Sequence, residues 1–209
     1  MKNLTWFFDF ISPFAYLQFE SFKEKLPQDV NIEYCPVLFA GFLKHWENKG
    51  PAEIPSKRIF TYRYVSWLAR RKNVTLNMPA IHPFNPLVLL RLALFLNCEE
   101  SAIREIFYFV WRDGKSVDSA TDIDCLFQKL NVNKEDITSS IVKEKLYSNG
   151  KRAIDLGVFG VPTFICDNQI FWGHDSTEML VDYINSPQMF LDDNSIANIP
   201  VGDIKNRPR

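Results

Sequence analysis

Strand-like patterning is confined to the two ends of this chain and missing from its middle. Residues 4–10 (LTWFFDF) form an aromatic run without breakers, and residues 30–37 (VNIEYCPV) alternate with β-branched residues near their ends, so both read as strands. Between them Ser12 and Pro13 are the N-cap and first-turn residues of a helix, which Phe14, Leu17, Phe22 and Leu26 continue at roughly helical spacing up to Pro27. Strand, helix and strand in that order predict a parallel pair joined by a right-handed crossover. From residue 38 to residue 150 no convincing strand is found; helical periods at 59–71, 86–96, 102–111, 121–130 and 134–149 are separated by polar turns. Strand patterning returns at 163–166 and 169–172 around the polar turn Asp167-Asn168, and a last helix is expected at about 176–184. Two β-containing halves must therefore meet across a long helical stretch. The predicted organisation is an α/β unit formed by residues 1–37 and 151–186, an all-helical insertion at 38–150, and an irregular tail at 187–209 rich in Asn, Asp and Pro.

Charge and length narrow the function. The 209 residues suffice for one domain with a large insertion, and 24 Lys and Arg against 25 Asp and Glu leave no field to steer the chain onto nucleic acid or an anionic membrane. Small molecules or proteins remain as partners. Asp9 and Pro13 interrupt the apolar run near the N-terminus, no small-residue cleavage site follows it, and no apolar stretch reaches the roughly 20 residues that span a bilayer. A cytoplasmic protein is expected. The four cysteines, Cys35, Cys98, Cys125 and Cys166, are scattered without C-x-x-C or accompanying His spacing, so no metal site is expected and they read as small buried residues in a reducing compartment.

Three local features could carry chemistry. Ser12 stands at a strand-to-helix corner, where its plain role is an N-cap, although free N–H groups and the helix dipole at such a corner also favour an anion such as a thiolate. Val161-Pro162 in F-G-V-P-T reads as a rigid turn; if the bond is cis, the Val161 N–H and C=O can pair with an extended ligand, and Gly157 and Gly160 permit close approach. In F-W-G-H-D, Asp175 with Glu178 has the spacing of a capping box, or Asp175 meets a ligand ammonium.

Taken together, F-D-F-I-S-P-F-A-Y-L at the start, H-P-F-N-P at residues 82–86, F-G-V-P-T-F and F-W-G-H-D resemble the 2-hydroxychromene-2-carboxylate isomerases, which belong with the kappa-class glutathione transferases in the DsbA-like branch of the thioredoxin fold. The resemblance covers nearly the whole chain to about Ser186. It implies a thioredoxin-like (DsbA-like) α/β domain with a large helical insertion, a homodimer, and glutathione as cofactor. Where disulfide oxidoreductases of that fold carry C-x-x-C, this chain carries Ser12-Pro13-Phe14-Ala15, which excludes a dithiol mechanism there. The implied glutathione contacts are Ser12, as hydrogen-bond donor to the thiolate, with Pro13, Phe14, Asn48, Lys57, Val161, Pro162, His174 and Asp175; Asn48 and Lys57 match in spacing only. The related motifs commonly continue Asp-Arg, whereas Ser176 follows Asp175 here, so one expected cationic support is missing.

In the isomerase reading a thiolate adds to the conjugated skeleton of an aromatic pyruvate-type substrate, the resulting single bond rotates, and elimination returns the thiol. A free thiol ionises near pH 8.5, and lowering that by two units takes roughly 2.7 kcal/mol. A helix terminus contributes about 0.3–1 kcal/mol and a hydrogen bond to a charged group about 1.5–3, so both are needed. Lys44, Asn85 and Arg91 are candidate donors to the substrate carboxylate; alternatively they are a solvated Lys, a helix cap before Pro86 and a surface Arg. His82, His45 and the stripe Phe107, Phe109 and Trp111 read as turn or core residues. The competing functions are a kappa-like transferase that consumes glutathione and a non-catalytic glutathione or peptide binding module.

Overall fold

The computed structural model of the chain describes residues 1–191, 199 and 200. Four strands, β1 (Lys2–Phe8), β2 (Val30–Pro36), β3 (Thr163–Cys166) and β4 (Gln169–Trp172), form one mixed sheet in the order β2-β1-β3-β4. β1 and β2 are parallel in the register Lys2↔Val30 to Phe8↔Pro36. β3 joins the other edge of β1 antiparallel, Leu4 facing Cys166 and Phe7 facing Thr163, and β4 closes the sheet as a hairpin on β3. Asp167 and Asn168 both take positive φ in that hairpin, the backbone of a two-residue turn that matches strand twist.

β1 is apolar on both faces only at its C-terminal end, Trp6 to Phe8, where both are covered; Asn3 and Thr5 leave the start of its second face polar. Leu4, Trp6 and Phe8 enter a large aromatic core with Phe19, Phe22, Phe107 and Phe164, where Trp6 stacks on Phe8 at 4.4 Å between ring centroids. Phe7 points the other way, into a smaller core with Cys35, Val37, Phe42, Ala153, Val158 and Ile165. The helices lie around this sheet: α1 (Pro13–Phe19), α2 (Phe22–Lys25), α3 (Phe39–His45), α4 (Pro55–Arg71), α5 (Leu87–Phe95), α6 (Glu100–Phe107), α7 (Ala120–Lys129), α8 (Ser140–Asp155), α9 (Thr177–Asn185) and α10 (Gln188–Leu191). A π-helical turn, Tyr108–Arg112, follows α6. No helix among the described residues is long and apolar enough to cross a membrane.

Several boundaries differ from the sequence expectation, each for a visible reason. The first strand stops at Phe8 rather than residue 10, because Asp9 turns the chain by accepting from the Ile11 and Ser12 backbone N–H groups. The expected single helix to Leu26 is split into α1 and α2 at Glu20-Ser21, where Ser21 Oγ donates to Leu17 O at 2.8 Å and Glu20 faces Arg104 of α6. α3 was without a periodic signal; its start is capped from another segment by Asp9. Ser139 caps α8, which runs without interruption through Gly150, so the division expected at residue 150 falls inside a helix. The tail expected to be irregular from residue 187 begins as the single turn α10, where Phe190 packs edge-on to Tyr183 at 5.5 Å; residues 192–198 and 201–209 lie outside the described residues.

One buried side chain ties these layers together. Gln18 of α1 accepts from Trp6 Nε1 at 2.7 Å and donates through Nε2 to Gly173 O and Thr177 Oγ1, both at 3.0 Å. Replacing it by leucine keeps the volume but strands the buried Trp6 indole N–H away from water, while Gly173 O keeps Ser176 as a donor. Gln18→Leu is expected to lower unfolding stability by about 2–4 kcal/mol, read as a lower urea midpoint at unchanged slope.

Candidate functional site

The corner between β1 and α1 is built from buried polar contacts. Asp9, fully buried, accepts from Ile11 N at 3.1 Å through Oδ1 and from Phe39 N at 2.9 Å through Oδ2, while its backbone oxygen accepts from Ser12 N at 3.0 Å. Burial pushes its carboxyl up to about 7, opposed by the backbone N–H groups of Phe39, Ile11 and Phe10, which favour the charged form. Two partners come from the helical middle of the chain. Trp111 Nε1 donates to Phe10 O at 2.8 Å, and His82 Nε2 lies 2.9 Å from Ile11 O.

Ser12 follows with extended backbone, φ −91 and ψ 112, and caps α1 by accepting from Ala15 N at 3.2 Å. Capping uses a lone pair of Oγ, so its proton stays available to donate; the structural and chemical roles of this serine are compatible. α1 spans only two turns, so its dipole contributes at the low end and the hydroxyl must do more than a longer helix would require. Pro13 occupies the first helical position. Phe14 stacks on His174, ring centroids 5.2 Å apart and planes 17° apart, and leans on Tyr64 of α4 at 5.9 Å.

The two closing motifs meet beside this corner. Val161–Pro162 is cis, as is His82–Pro83. Pro162 O accepts from Gly173 N at 2.9 Å, which fastens the V-P turn to the W-G-H-D segment, and Gln18 holds the same segment from α1. Neither the N–H nor the C=O of Val161 takes a hydrogen-bond partner among the described residues, leaving a donor and an acceptor free on a partly exposed backbone. Gly160 is obligatory: a Cβ there would sit 2.5 Å from Trp172 Nε1. Gly173, at φ 91, lies under Asp175, whose Oδ1 would be 2.5 Å from an added Cβ.

Asp175 and Glu178 do not form the capping box that their spacing suggests. A 3-10 turn, His174–Ser176, precedes α9 and moves the helix start to Thr177, so the two are no longer at cap and third positions. That turn is closed by Ser176 Oγ donating to Gly173 O and Thr177 Oγ1 donating to His174 O, both at 2.9 Å, and Glu178 pairs with Lys25. The Asp175 carboxylate, 80% exposed, is left free for a cation; His174 Nδ1 lies 3.9 Å away, an ion-pair partner only when that ring is protonated. Burial holds the His174 imidazole below its usual range, with Asp175 pulling the other way.

The remaining candidates are not gathered at the corner by any contact. Lys44 ends α3 and Lys57 begins α4, both exposed, and Asn48 lies in the loop between, its Oδ1 accepting from Lys49 N at 2.8 Å. Asn85 Oδ1 accepts from Leu87 N at 3.1 Å, the capping alternative. Arg91 is half-buried on α5, and its Nε is buried without a partner. Among the described residues no cluster of His, Cys, Asp or Glu could hold a metal. The residues that sequence alone passed over are Asp9, Gln18, Tyr62 and Tyr64. For Asp9 a signal existed, a lone acid inside an aromatic strand run; for the others none did.

Comparison with known proteins agrees with this architecture. A family model described as DSBA-like thioredoxin domain matches residues 3–185. The chain is 28% identical over 210 residues to glutathione S-transferase kappa 2 of Caenorhabditis elegans, covering 89% of this chain and 93% of that one. It is 25% identical over 198 residues to 2-hydroxychromene-2-carboxylate isomerase of Sphingobium xenophagum, covering 88% and 98%. A solved selenomethionine 2-hydroxychromene-2-carboxylate isomerase superposes with a TM-score of 0.73 at 21% identity, over 94% of this chain and 100% of that one, which shows the shared fold.

The buried carboxyl makes a signed prediction. Asp9 titrates near 3.9 when unfolded and about 7 when folded, so in that window the native state holds more protons and the stability this group contributes is lost as pH rises from about 4 to about 7. Asp9→Asn removes the titration. The unfolding free energy of wild type minus variant, from urea titrations, is expected to fall by on the order of 2–4 kcal/mol across that range. A flat or rising difference would show that burial does not govern this carboxyl.

Proposed function

The chain belongs to the DSBA-like thioredoxin domain family, and from that premise we propose that it binds glutathione at the Ser12 corner as a glutathione-dependent isomerase of the 2-hydroxychromene-2-carboxylate isomerase type. The observation that carries this reading is the pairing of a serine, rather than a cysteine, at the corner with the unpartnered backbone of Val161 in the neighbouring turn. A protein without a thiol of its own at this corner needs one delivered, and the free N–H and C=O of Val161 suit the backbone of an extended peptide. Asp175, exposed and aimed at solvent, suits the tripeptide's ammonium.

When bound, the tripeptide supplies a nucleophilic thiol, able to add reversibly to a conjugated aromatic pyruvate-type substrate so that a former double bond rotates before elimination. The chain's own work is to hold that sulfur ionised and to exclude water. Ser12 donates its hydroxyl proton toward the sulfur while its lone pair caps α1, and the Phe14 N–H, left over because Pro13 has none and those of Ala15 and Tyr16 donate to Ser12, adds a smaller share. Phe14 and His174 wall the site with an apolar face, and the neutral imidazole brings no competing positive charge. Lys44, Asn85 and Arg91 are the proposed donors to the substrate carboxylate. The protein is proposed to act in the cytoplasm as a homodimer, with exposed Phe60 and Trp67 of α4, both stacked on half-buried Tyr64, as a surface suited to a second copy.

A second reading has its own support: relatives from three animals are named glutathione S-transferase kappa, including one from Homo sapiens at 23% identity. In that reading the sulfur attacks an electrophile and the conjugate leaves. Counting thiols during turnover separates the two, since isomerisation leaves glutathione undiminished and conjugation consumes one per product. Under either, Ser12→Ala is expected to keep the fold, as judged by circular dichroism, and to lower turnover about 10- to 100-fold through loss of a hydrogen bond to a charged sulfur. Equal rates for the two proteins would remove Ser12 from the mechanism.

A further inference from the structure

The peptide group that joins Ile11 to Ser12 is gripped at both ends. Its N–H, on Ser12, donates to Asp9 O at 3.0 Å, and its C=O, on Ile11, faces His82 Nε2 at 2.9 Å. Two hydrogen bonds on opposite edges of one rigid plane define its rotation, and that rotation sets φ of Ser12 and the direction of its Oγ. Of the two grips only His82 is a side chain, and it comes from a segment remote in sequence. We propose that His82 is a positioning residue for Ser12, acting through the Ile11 carbonyl and held in its tautomer by Tyr62.

The chemistry of the contact dictates the tautomer. A carbonyl oxygen only accepts, so Nε2 must carry the proton, and Nδ1, 2.7 Å from the Tyr62 hydroxyl, is the acceptor when the ring is neutral. The same hydroxyl lies 2.9 Å from the His82 backbone oxygen. Should the imidazole gain a proton, Nδ1–H donates to the Tyr62 oxygen and the hydroxyl proton turns to that carbonyl. Both charge states therefore keep the Nε2 donor on Ile11. Burial lowers the affinity of His82 for a second proton, and Arg58, acting on Tyr62, is the charged neighbour on the facing helix. Edge-on contacts with Tyr62 and Trp111, each with ring centroids 5.4 Å from the imidazole, fix the ring plane, and Trp111 itself donates to the adjacent Phe10 carbonyl. The helical middle of the chain thus reaches the corner with two donors on consecutive carbonyls.

The consequence for catalysis rests on the glutathione reading above; the consequence for the corner does not. The test compares His82→Leu, His82→Gln, whose amide nitrogen reaches the place of Nε2, and Tyr62→Phe with wild type. In ligand-free protein, amide exchange at Ser12 is expected to quicken about tenfold in the leucine variant and about threefold in Tyr62→Phe, with the glutamine variant recovering most of the loss. With glutathione added, the ultraviolet absorbance of the thiolate is expected to titrate about one pH unit higher in the leucine variant than in wild type at similar glutathione affinity, and glutamine again to recover it. Unchanged exchange at Ser12 overturns the proposal. Where wild type lowers the thiol's ionisation, quicker exchange in the leucine variant with the thiol ionising as in wild type also overturns it, since His82 would then merely support the turn. If the leucine variant does not fold, Tyr62→Phe decides by the same two readings. Wild-type protein that leaves the glutathione thiol as it is in buffer overturns the glutathione reading instead, and the exchange comparison still decides the role of His82.

Discussion

A carboxyl group that water cannot reach holds the N–H groups of two separate segments, Ile11 in the turn after β1 and Phe39 at the start of α3. The strand stops, the chain turns and Ser12 comes to rest because that carboxyl has to be satisfied. An unpaired buried carboxylate is expensive, and so is an unpaired buried amide; each is tolerable here only because it meets the other. The corner is accordingly stiff without relying on its own short helix. Its stiffness comes from outside, through Asp9, Trp111 and His82.

The same economy of shared partners joins the three motifs that lie far apart in the chain. Gln18 contacts the first strand through Trp6 and the closing segment through Gly173 and Thr177, while Pro162 accepts from Gly173. A ligand seated between Ser12, Val161 and Asp175 would touch three segments whose relative positions are already set by buried hydrogen bonds. Such preorganisation lowers the ordering cost of binding and holds a donor where charge has to be stabilised. Ser176, standing where related motifs commonly carry a cation, closes the local turn instead.

Much of this was legible in sequence because it is local. The aromatic run around Trp6, the Ser12-Pro13 helix start, the parallel partner at 30–36 and the hairpin around Asp167-Asn168 each carry their own periodicity or turn chemistry, and the order of strands and helices implied a sheet interrupted by helices. Motif resemblance pointed to Ser12, Val161 and Asp175. The misreadings share a cause. The helix broken at Glu20-Ser21 looks continuous in sequence because hydrophobic spacing carries no trace of Ser21 bonding back to Leu17 or of Glu20 meeting Arg104, and the start of α8 is marked by its capping serine and not by apolar periodicity. The spacing of Asp175 and Glu178 suggested a cap that a preceding 3-10 turn displaces.

The sequence by itself determined the four strands and most of the helices, though not α3, α10 or the break between α1 and α2, and that the corner residue is a hydroxyl where a thiol would be needed for disulfide chemistry. Those properties depend on side-chain type and on neighbours within a few positions. Only the tertiary structure decided which groups satisfy the buried polar atoms of that corner: Asp9 capping a distant helix, His82 and Trp111 donating to consecutive carbonyls, Val161 left without a partner. Apolar burial is non-directional and leaves a periodic trace along the chain, whereas a hydrogen bond needs one donor and one acceptor at about 3 Å, wherever in the sequence they originate.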